Sequence, residues 1–334
     1  MDTNNIKRII SNFLSDSDVQ VEGEASGEYN KVYLLETSSG KYALRVKRKP
    51  LSIDAQALAY EMEFIERLGS AQNKIHVPHT IRTKSGEYLF VDKDAYYNLQ
   101  TLVPGAKRID KWYESGSLAV SDVAELFSTL ALLHRACRGV KMTHTKYSPT
   151  VYELFAGYRM MLEKGLPDGP FNNMLKAERT FLEDKLHGVE KRLNELGYGE
   201  CASYPVHYDT SACNVLWDAG QIISLIDFDW VQKATFEFDF ARSVMLTCGG
   251  YTQSGNSTNT LDPVKVRTAL SSYNASSEEP LEQMEMTRSL IDASSLFLTF
   301  WAVRTFIEEG NREPYFLSFF QSGLDRLRDA PALL

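Results

Sequence analysis

His207-Tyr208-Asp209-Thr210-Ser211-Ala212-Cys213-Asn214-Val215-Leu216, followed by Ile226-Asp227-Phe228-Asp229, is the stretch around which this chain of 334 residues is organised. Reduced to polar positions it reads His-x-Asp-x-x-x-x-Asn, with a further Asp at 227. Phosphoryl transfer from a nucleotide needs such a set. One carboxylate, Asp209, can orient an attacking hydroxyl and accept its proton. The amide oxygen of Asn214 and the carboxylate of Asp227 can hold magnesium against the nucleotide phosphates. The surrounding residues suit a hairpin: Asn214–Trp217 as a short strand, Asp218-Ala219-Gly220 as the turn, and Gln221–Ile226 as a second, Ile-rich strand. Placing Trp217 opposite Gln221 puts Asn214 opposite Ser224. Asp227 then lies about 10 Å further on, beside the loop that carries Asp209. His207 reads as a structural residue within that loop.

These motifs resemble the catalytic and metal-binding segments of the aminoglycoside phosphotransferase and choline kinase superfamily, small-molecule kinases with a protein-kinase-like fold. Two departures stand out. Position 208 is Tyr where many members have Gly, and position 229 is Asp where protein kinases have the Gly of Asp-Phe-Gly. The resemblance implies an α+β, two-lobed protein-kinase-like fold. Residues 1–104 would form a nucleotide-binding lobe with an antiparallel five-stranded sheet and one main helix. Residues 105–334 would form a mostly helical lobe for catalysis and the acceptor. It implies ATP or GTP and Mg2+ as cofactors, and a small-molecule hydroxyl as acceptor.

Composition sets the wider bounds. Hydrophobic residues make up 43% and charged residues 24%, ordinary for a globular protein. No uninterrupted apolar run approaches a membrane span, and the start lacks the apolar core of a secretory signal. The four cysteines at 137, 201, 213 and 248 are scattered, which fits reduced thiols in a cytoplasmic protein. The net charge of −8 argues against nucleic acid as a partner. Residues 1–105 carry 13 basic and 14 acidic side chains and the remainder 23 and 30, so 7 of the 8 excess charges lie in the second part. Solvated acidic helices and a pocket that attracts a cationic acceptor are both open readings of that excess. Oligomeric state is not legible.

Along the chain, apolar residues at 6, 9, 10, 13 and 14 predict a short helix capped by Asn4 or Asn5. Two strands follow, joined by a turn with Gly23 and Gly27. Through Asn30 it can lay backbone N–H groups against phosphates. Lys41–Lys47 is a strand. Alternation places Arg45 opposite Leu44 and Val46, on a face turned either to phosphate or to solvent, with Lys47 beside it. By resemblance Arg45 stands where kinases carry the strand cation, with Lys47 as the second choice. In the helix over 52–68, Glu61 falls within the apolar stripe and matches the family's partner glutamate, whereas Glu63 and Glu66 project away from it. Residues 80–91 read as a hairpin and 96–103 as a strand ending at Pro104-Gly105. The latter resembles the family's hinge, where backbone groups near Gln100 to Leu102 would meet the adenine.

The second part reads as helices: 121–137 with Ser121 as cap, 151–162, 177–196, 263–273, 281–307 and 313–327. His134 reads as a satisfied core residue. Asp239-Phe240-Ala241 resembles the family's Asp-Leu-Ala, with the aspartate beginning a helix and bracing the catalytic loop. No Ala-Pro-Glu segment and no long activation loop follow Asp227, which disfavours a protein kinase. A protein kinase and a non-catalytic nucleotide-binding regulator are the alternatives.

Overall fold

The computed structural model describes residues 1–16, 18–26, 31–48, 54–70, 76–93, 95–107, 118–165, 169–249, 260–309 and 313–329. It opens with helix α1 (Thr3–Ile10), capped by Asp2, whose carboxylate accepts from Asn5 N at 2.8 Å. The expected caps, Asn4 and Asn5, therefore lie inside the helix. An ionised carboxylate at the preceding residue is the better acceptor for the orphan N–H groups.

Strands β1 (Val19–Ser26), β2 (Lys31–Thr37) and β3 (Gly40–Arg48) form an antiparallel meander. Helix α2 (Ala55–Ser70) and the short strands β4 (Thr80–Ile81) and β5 (Phe90–Val91) lead to β6 (Ala95–Thr101). The sheet runs β1-β2-β3-β6-β4, all antiparallel, with β5 as a two-residue addition on β6. β4 and β5 do not pair with each other as the expected hairpin. Thr80 and Ile81 lie against Gln100 and Leu99, and Phe90 and Val91 against Tyr97 and Tyr96. A turn closed by Thr83 N–H to Glu87 O at 2.8 Å carries the chain between them.

The sheet separates two cores. On one face Tyr33, Leu35, Tyr42, Leu44, Val46, Tyr97 and Leu99 pack against Ile6, Ile9 and Ile10 of α1. On the other, α2 contributes Tyr60, Met62, Phe64, Ile65 and Leu68 to the large core shared with the helical region. α2 is thus covered on two sides, and Glu61 and Glu63 are both buried. Glu63 projects away from the apolar stripe, as expected, but is buried there because the segment with Thr143 and His144 overlays that side.

The second part contains α3 (Val120–Cys137), α4 (Val151–Lys164), α5 (Pro170–Glu195), α6 (Phe236–Thr247), α7 (Pro263–Ser276), α8 (Met284–Glu309) and α9 (Glu313–Asp329). At α3 the start is fixed by Asp122, which accepts from Ala119 N, and Ser121 lies within the first turn. By length and mean hydropathy Met284–Ile307 would suffice to cross a membrane, although Glu285, Arg288, Asp292 and Arg304 interrupt its apolar run, and 67% of its apolar window is buried inside the fold. It is a core helix lying against α5, α6 and α9.

Short strands carry the central stretch: β8 (Ser203–Val206), β9 (Val215–Asp218), β10 (Gln221–Leu225) and β11 (Gln232–Thr235). β8 pairs with β11, and β9 lies between β10 and the two-residue β7 (Ala106–Lys107). The β9–β10 register differs from the expected one. Ala219 and Gly220 both adopt positive φ, 46° and 83°, which closes a two-residue turn with Asp218 opposite Gln221 and Trp217 opposite Ile222. A bulge at Ile223 then sets Leu216 opposite Ser224, and Ile226 N–H donates to Asn214 O at 2.9 Å. The bulged residue is also used in packing. A Cβ on Gly105 would stand 2.8 Å from Ile223 Cδ1, so glycine lets the inter-lobe segment pass tightly over the hairpin.

Candidate active site

The loop after β8 is closed by bonds of its own and by contacts from α6 and α8. His207 is fully buried; its Nδ1 accepts from Asp209 N at 3.3 Å, and its Nε2 faces Ile226 O at 3.0 Å. A backbone N–H can only donate and a carbonyl only accept, so the proton resides on Nε2. Burial lowers the imidazole pKa, which keeps this neutral tautomer. His207 is a strut between the loop and the segment leading to Asp227.

Asn214 Nδ2 donates to Asp209 O at 2.8 Å and to Asp209 Oδ2 at 2.7 Å. Both partners are acceptors, so the amide orientation is fixed and Asn214 Oδ1 is the atom left for a cation. Asp209 keeps part of its surface open, and its Oδ1 is not engaged by Asn214. Burial raises its carboxyl to about 7; Arg242 works against that rise, and Asp227 adds to it.

Tyr208 has φ 66°, a left-handed conformation that is strained for a bulky side chain. Three contacts hold it there. Arg242 Nε, from α6, donates to Tyr208 O at 2.8 Å. The same guanidinium lies 4.2 Å from the Tyr208 ring centroid and 4.0 Å from that of Phe297 on α8. Tyr208 and Phe297 also meet edge to face. A buried guanidinium in contact with both rings therefore does at 208 what a glycine would do by conformational freedom alone. Sequence reasoning missed Arg242, although its place three residues after Asp239 was in view.

Asp227 also has φ 64°, and its side chain is 46% exposed. Enclosure in the cleft and then the nearby Asp229 carboxylate raise its pKa, against the pull of Arg45. Asp229 forms a close ion pair with Arg45 and a second, at 3.5 Å, with Lys47, while Arg45 Nη2 lies 3.5 Å from Asp227 Oδ1. Both strand cations thus face the cleft rather than solvent, as alternation along β3 allows. Burial works against the charge on Arg45, but Asp229 and Asp227 outweigh it and hold the guanidinium ionised. The departure at 229 has a physical role: its carboxylate gathers both cations beside Asp227.

Glu61 reaches the same place from α2 but is not bridged by either strand cation. Its Oε1 lies 3.3 Å from Lys146 Nζ, which also donates to Asp229 O at 3.0 Å. Burial pushes the Glu61 carboxyl up to about 7 against the attraction of Lys47, Lys146 and Arg45. Lys146 lies in the connection between α3 and α4, where no periodicity marks it. Glu63, two residues along α2, clamps that connection. Its carboxylate takes hydrogen bonds of 2.8–3.0 Å from Thr143 N and Oγ1 and from His144 N and Nδ1. Burial disfavours the Glu63 carboxylate, yet these bonds hold its pKa at about 2.

At the expected hinge, Gln100 is buried and points its amide at Met62 Sδ. Thr101 N–H donates to His79 O and Leu102 N–H to Lys41 O, both at 2.9 Å. These two donors are spent within the lobe. Gly27 and Asn30 lie outside the described residues. Thr235, not Asp239, caps α6, accepting from Phe238 N. Asp239 lies in the first turn, fully buried, with Oδ2 2.9 Å from His134 Nε2; His134 Nδ1 meets Tyr273 OH at 2.7 Å and the ring stacks on Phe236. His134 is a satisfied core residue that ties α3, α6 and α7 together.

Asn214 Oδ1, on a buried side chain, and the half-exposed carboxylate of Asp227 are oxygen donors close to Asp209. Among the described residues no group of three or more His, Cys, Asp or Glu converges on a metal position. A donor pair of this kind fits a hard cation that keeps its waters and shares phosphate oxygens, such as magnesium.

The fold has close counterparts among solved structures. A microcompartment-associated aminopropanol kinase superposes with a TM-score of 0.71 at 17% identity, covering 98% of this chain and 96% of that one. An amicoumacin kinase in complex with AMP-PNP, Ca2+ and Ami gives 0.66 at 13% identity, with 97% and 94% covered. A choline kinase from Cryptosporidium parvum Iowa II gives 0.59 at 15% identity, with 97% and 96% covered. At such identities the likeness concerns the fold: a two-lobed, protein-kinase-like architecture. No match was found among curated protein sequences. The family model described as "Phosphotransferase enzyme family" matches residues 21–255, which take in β2, β3, α2, the Asp209 loop and the Asp227 hairpin, and the chain is therefore a member of that family and a phosphotransferase.

Proposed function

We propose that this protein transfers the γ-phosphate of ATP or GTP to a hydroxyl of a small molecule such as an aminoglycoside, amino alcohol, hydroxy amino acid or natural product. The observation that carries this is the meeting of Asp209, Asn214 and Asp227 at one end of the β9–β10 hairpin, facing Arg45 and Lys47. Residues 1–104 would hold the nucleotide and residues 105–334 the acceptor. Asn214 and Asp227 would hold Mg2+, which neutralises phosphate charge when bound. Arg45 and Lys47 would add positive charge at the phosphates.

Asp209 supplies the positioned acceptor for a proton. Asn214 fixes one of its oxygens, and a substrate hydroxyl donates to the other. As the hydroxyl oxygen bonds to the γ-phosphorus, the bond to the bridging oxygen breaks, the nucleoside diphosphate leaves, and the hydroxyl proton passes to the carboxylate. Holding the two reactants in line does most of the work. A carboxyl tuned upward by burial is a better proton acceptor than a free aspartate.

The test is magnesium-dependent consumption of ATP and GTP across a panel of small alcohols, with Asp209→Ala as control. Stimulation by one compound class, absent in the variant, supports the reading and names the acceptor. Transfer to protein hydroxyls with none to small alcohols would replace it by the protein-kinase reading.

A further inference from the structure

We propose that Lys146 is a positioning residue of the nucleotide site: it holds Glu61 of α2 in place of a strand cation and ties that helix to the Asp227–Asp229 segment. The inference rests on the kinase reading above.

Three observations converge on it. Glu61 is almost fully buried, and among the described residues the ion pair that reaches its carboxylate within 4 Å comes from Lys146. Arg45 and Lys47, the cations on the facing strand, are both turned to Asp229. Lys146 Nζ, moreover, bridges two elements, because its second bond goes to Asp229 O, two residues beyond Asp227.

The segment that delivers Lys146 is fastened on both sides. Upstream, Glu63 binds Thr143 and His144. Downstream, Ser148 Oγ donates to Lys146 O at 3.1 Å and accepts from Lys233 N at 3.0 Å. A flexible lysine stem is costly to order. Anchors within three residues on either side reduce that cost by fixing the backbone beneath it.

Three cations and three carboxyl groups are paired here. Arg45, Lys47 and Lys146 stand against Glu61, Asp227 and Asp229. Removing Lys146 leaves a buried carboxylate without its direct cation. Glu61 must then take up a proton or draw Arg45 or Lys47 away from Asp229. Either outcome changes the cations that the nucleotide phosphates meet.

The experiment measures dissociation constants of MgADP and of a non-hydrolysable MgATP analogue by calorimetry, so no acceptor need be known. Melting curves without nucleotide accompany each variant. Lys146→Met is expected to weaken nucleotide binding about 10–100-fold, the usual effect of removing a residue that orients a binding group. Lys146→Arg should return the affinity to within a few-fold of wild type. In a Glu61→Gln background, adding Lys146→Met should cost little, because no buried carboxylate remains to be neutralised. That double variant also keeps the test open if Lys146→Met alone fails to fold. Wild-type affinity in a folded Lys146→Met protein overturns the proposal, as does an undiminished penalty in the Glu61→Gln background. Wild-type protein without nucleotide affinity overturns the kinase reading as well.

Discussion

The Asp209 loop and the Arg45–Glu61 cluster face the same cleft but are held together in opposite ways. In the loop, the bonds of His207, Asp209 and Asn214 span 2, 5 and 19 residues. In the cluster, Lys146 reaches across 85 residues to Glu61, and Arg45 across 182 to Asp227. The first is closed mainly by short-range bonds, with Arg242 and Phe297 supporting it at Tyr208. The second exists only while four separate segments, β3, α2, the α3–α4 connection and residues 227–229, are docked. The Asp209 loop thus depends less on lobe position than the Arg45–Glu61 cluster does.

The largest expected effect separates chemistry from nucleotide holding. Asp209→Ala should lower turnover by about 10²–10⁴-fold while leaving the MgADP dissociation constant within a few-fold. Parallel loss of both in a folded variant would show that the two regions are not independent.

The next concerns the long-range region. Glu63 has a folded-state pKa of about 2, below its ordinary 4.5. Its ionised form therefore favours folding, fully above pH 4.5, and that contribution fades as the pH falls toward about 2. The difference is worth at most about 3 kcal/mol. Urea melts of wild type and Glu63→Gln at several pH values should diverge above pH 4.5 and converge at lower pH. Parallel curves would remove Glu63 as an ionised clamp.

For the local loop, Arg242→Gln should cost about 2 kcal/mol of stability, because Tyr208 O and two ring faces lose their partner. Turnover should fall more than nucleotide affinity. The smallest effect is the most direct comparison. Hydrogen exchange followed with and without MgADP should slow in α2 and residues 143–148, and change little in residues 207–214, whose bonds are already closed. Equal protection of both would erase the distinction.

The same contrast explains what could be read from the chain. Asp209, Asn214 and Asp227 were legible because a short hairpin places them, and period-2 alternation sufficed to turn Arg45 and Lys47 to one face. Glu61 followed from helical spacing. Lys146 was not legible, since nothing local marks a loop lysine whose partner is set by lobe docking. The burial of Glu63 was not legible because one apolar stripe reveals one covered face, and α2 has a second under residues 143–144. The hairpin register slipped because Ala219-Gly220 closes a two-residue turn and a bulge at Ile223 absorbs the remainder. The adjacent apolar pair Ile222-Ile223 breaks the alternation at the bulge, but such a pair reads equally as a strand covered on both faces.

Tyr208 has a consequence for how this site can change over time. Its left-handed backbone depends on one buried contact group, made by its own ring, the guanidinium of Arg242 and the ring of Phe297. Glycine at 208 would ease the backbone but strip the guanidinium of a ring; a small residue at 242 would leave the strained tyrosine unsupported. Each single exchange is a step down in stability, so the route between the two solutions crosses a valley. In a library randomised at positions 208 and 242, the surviving sequences should show joined choices, with tyrosine and arginine retained or replaced together.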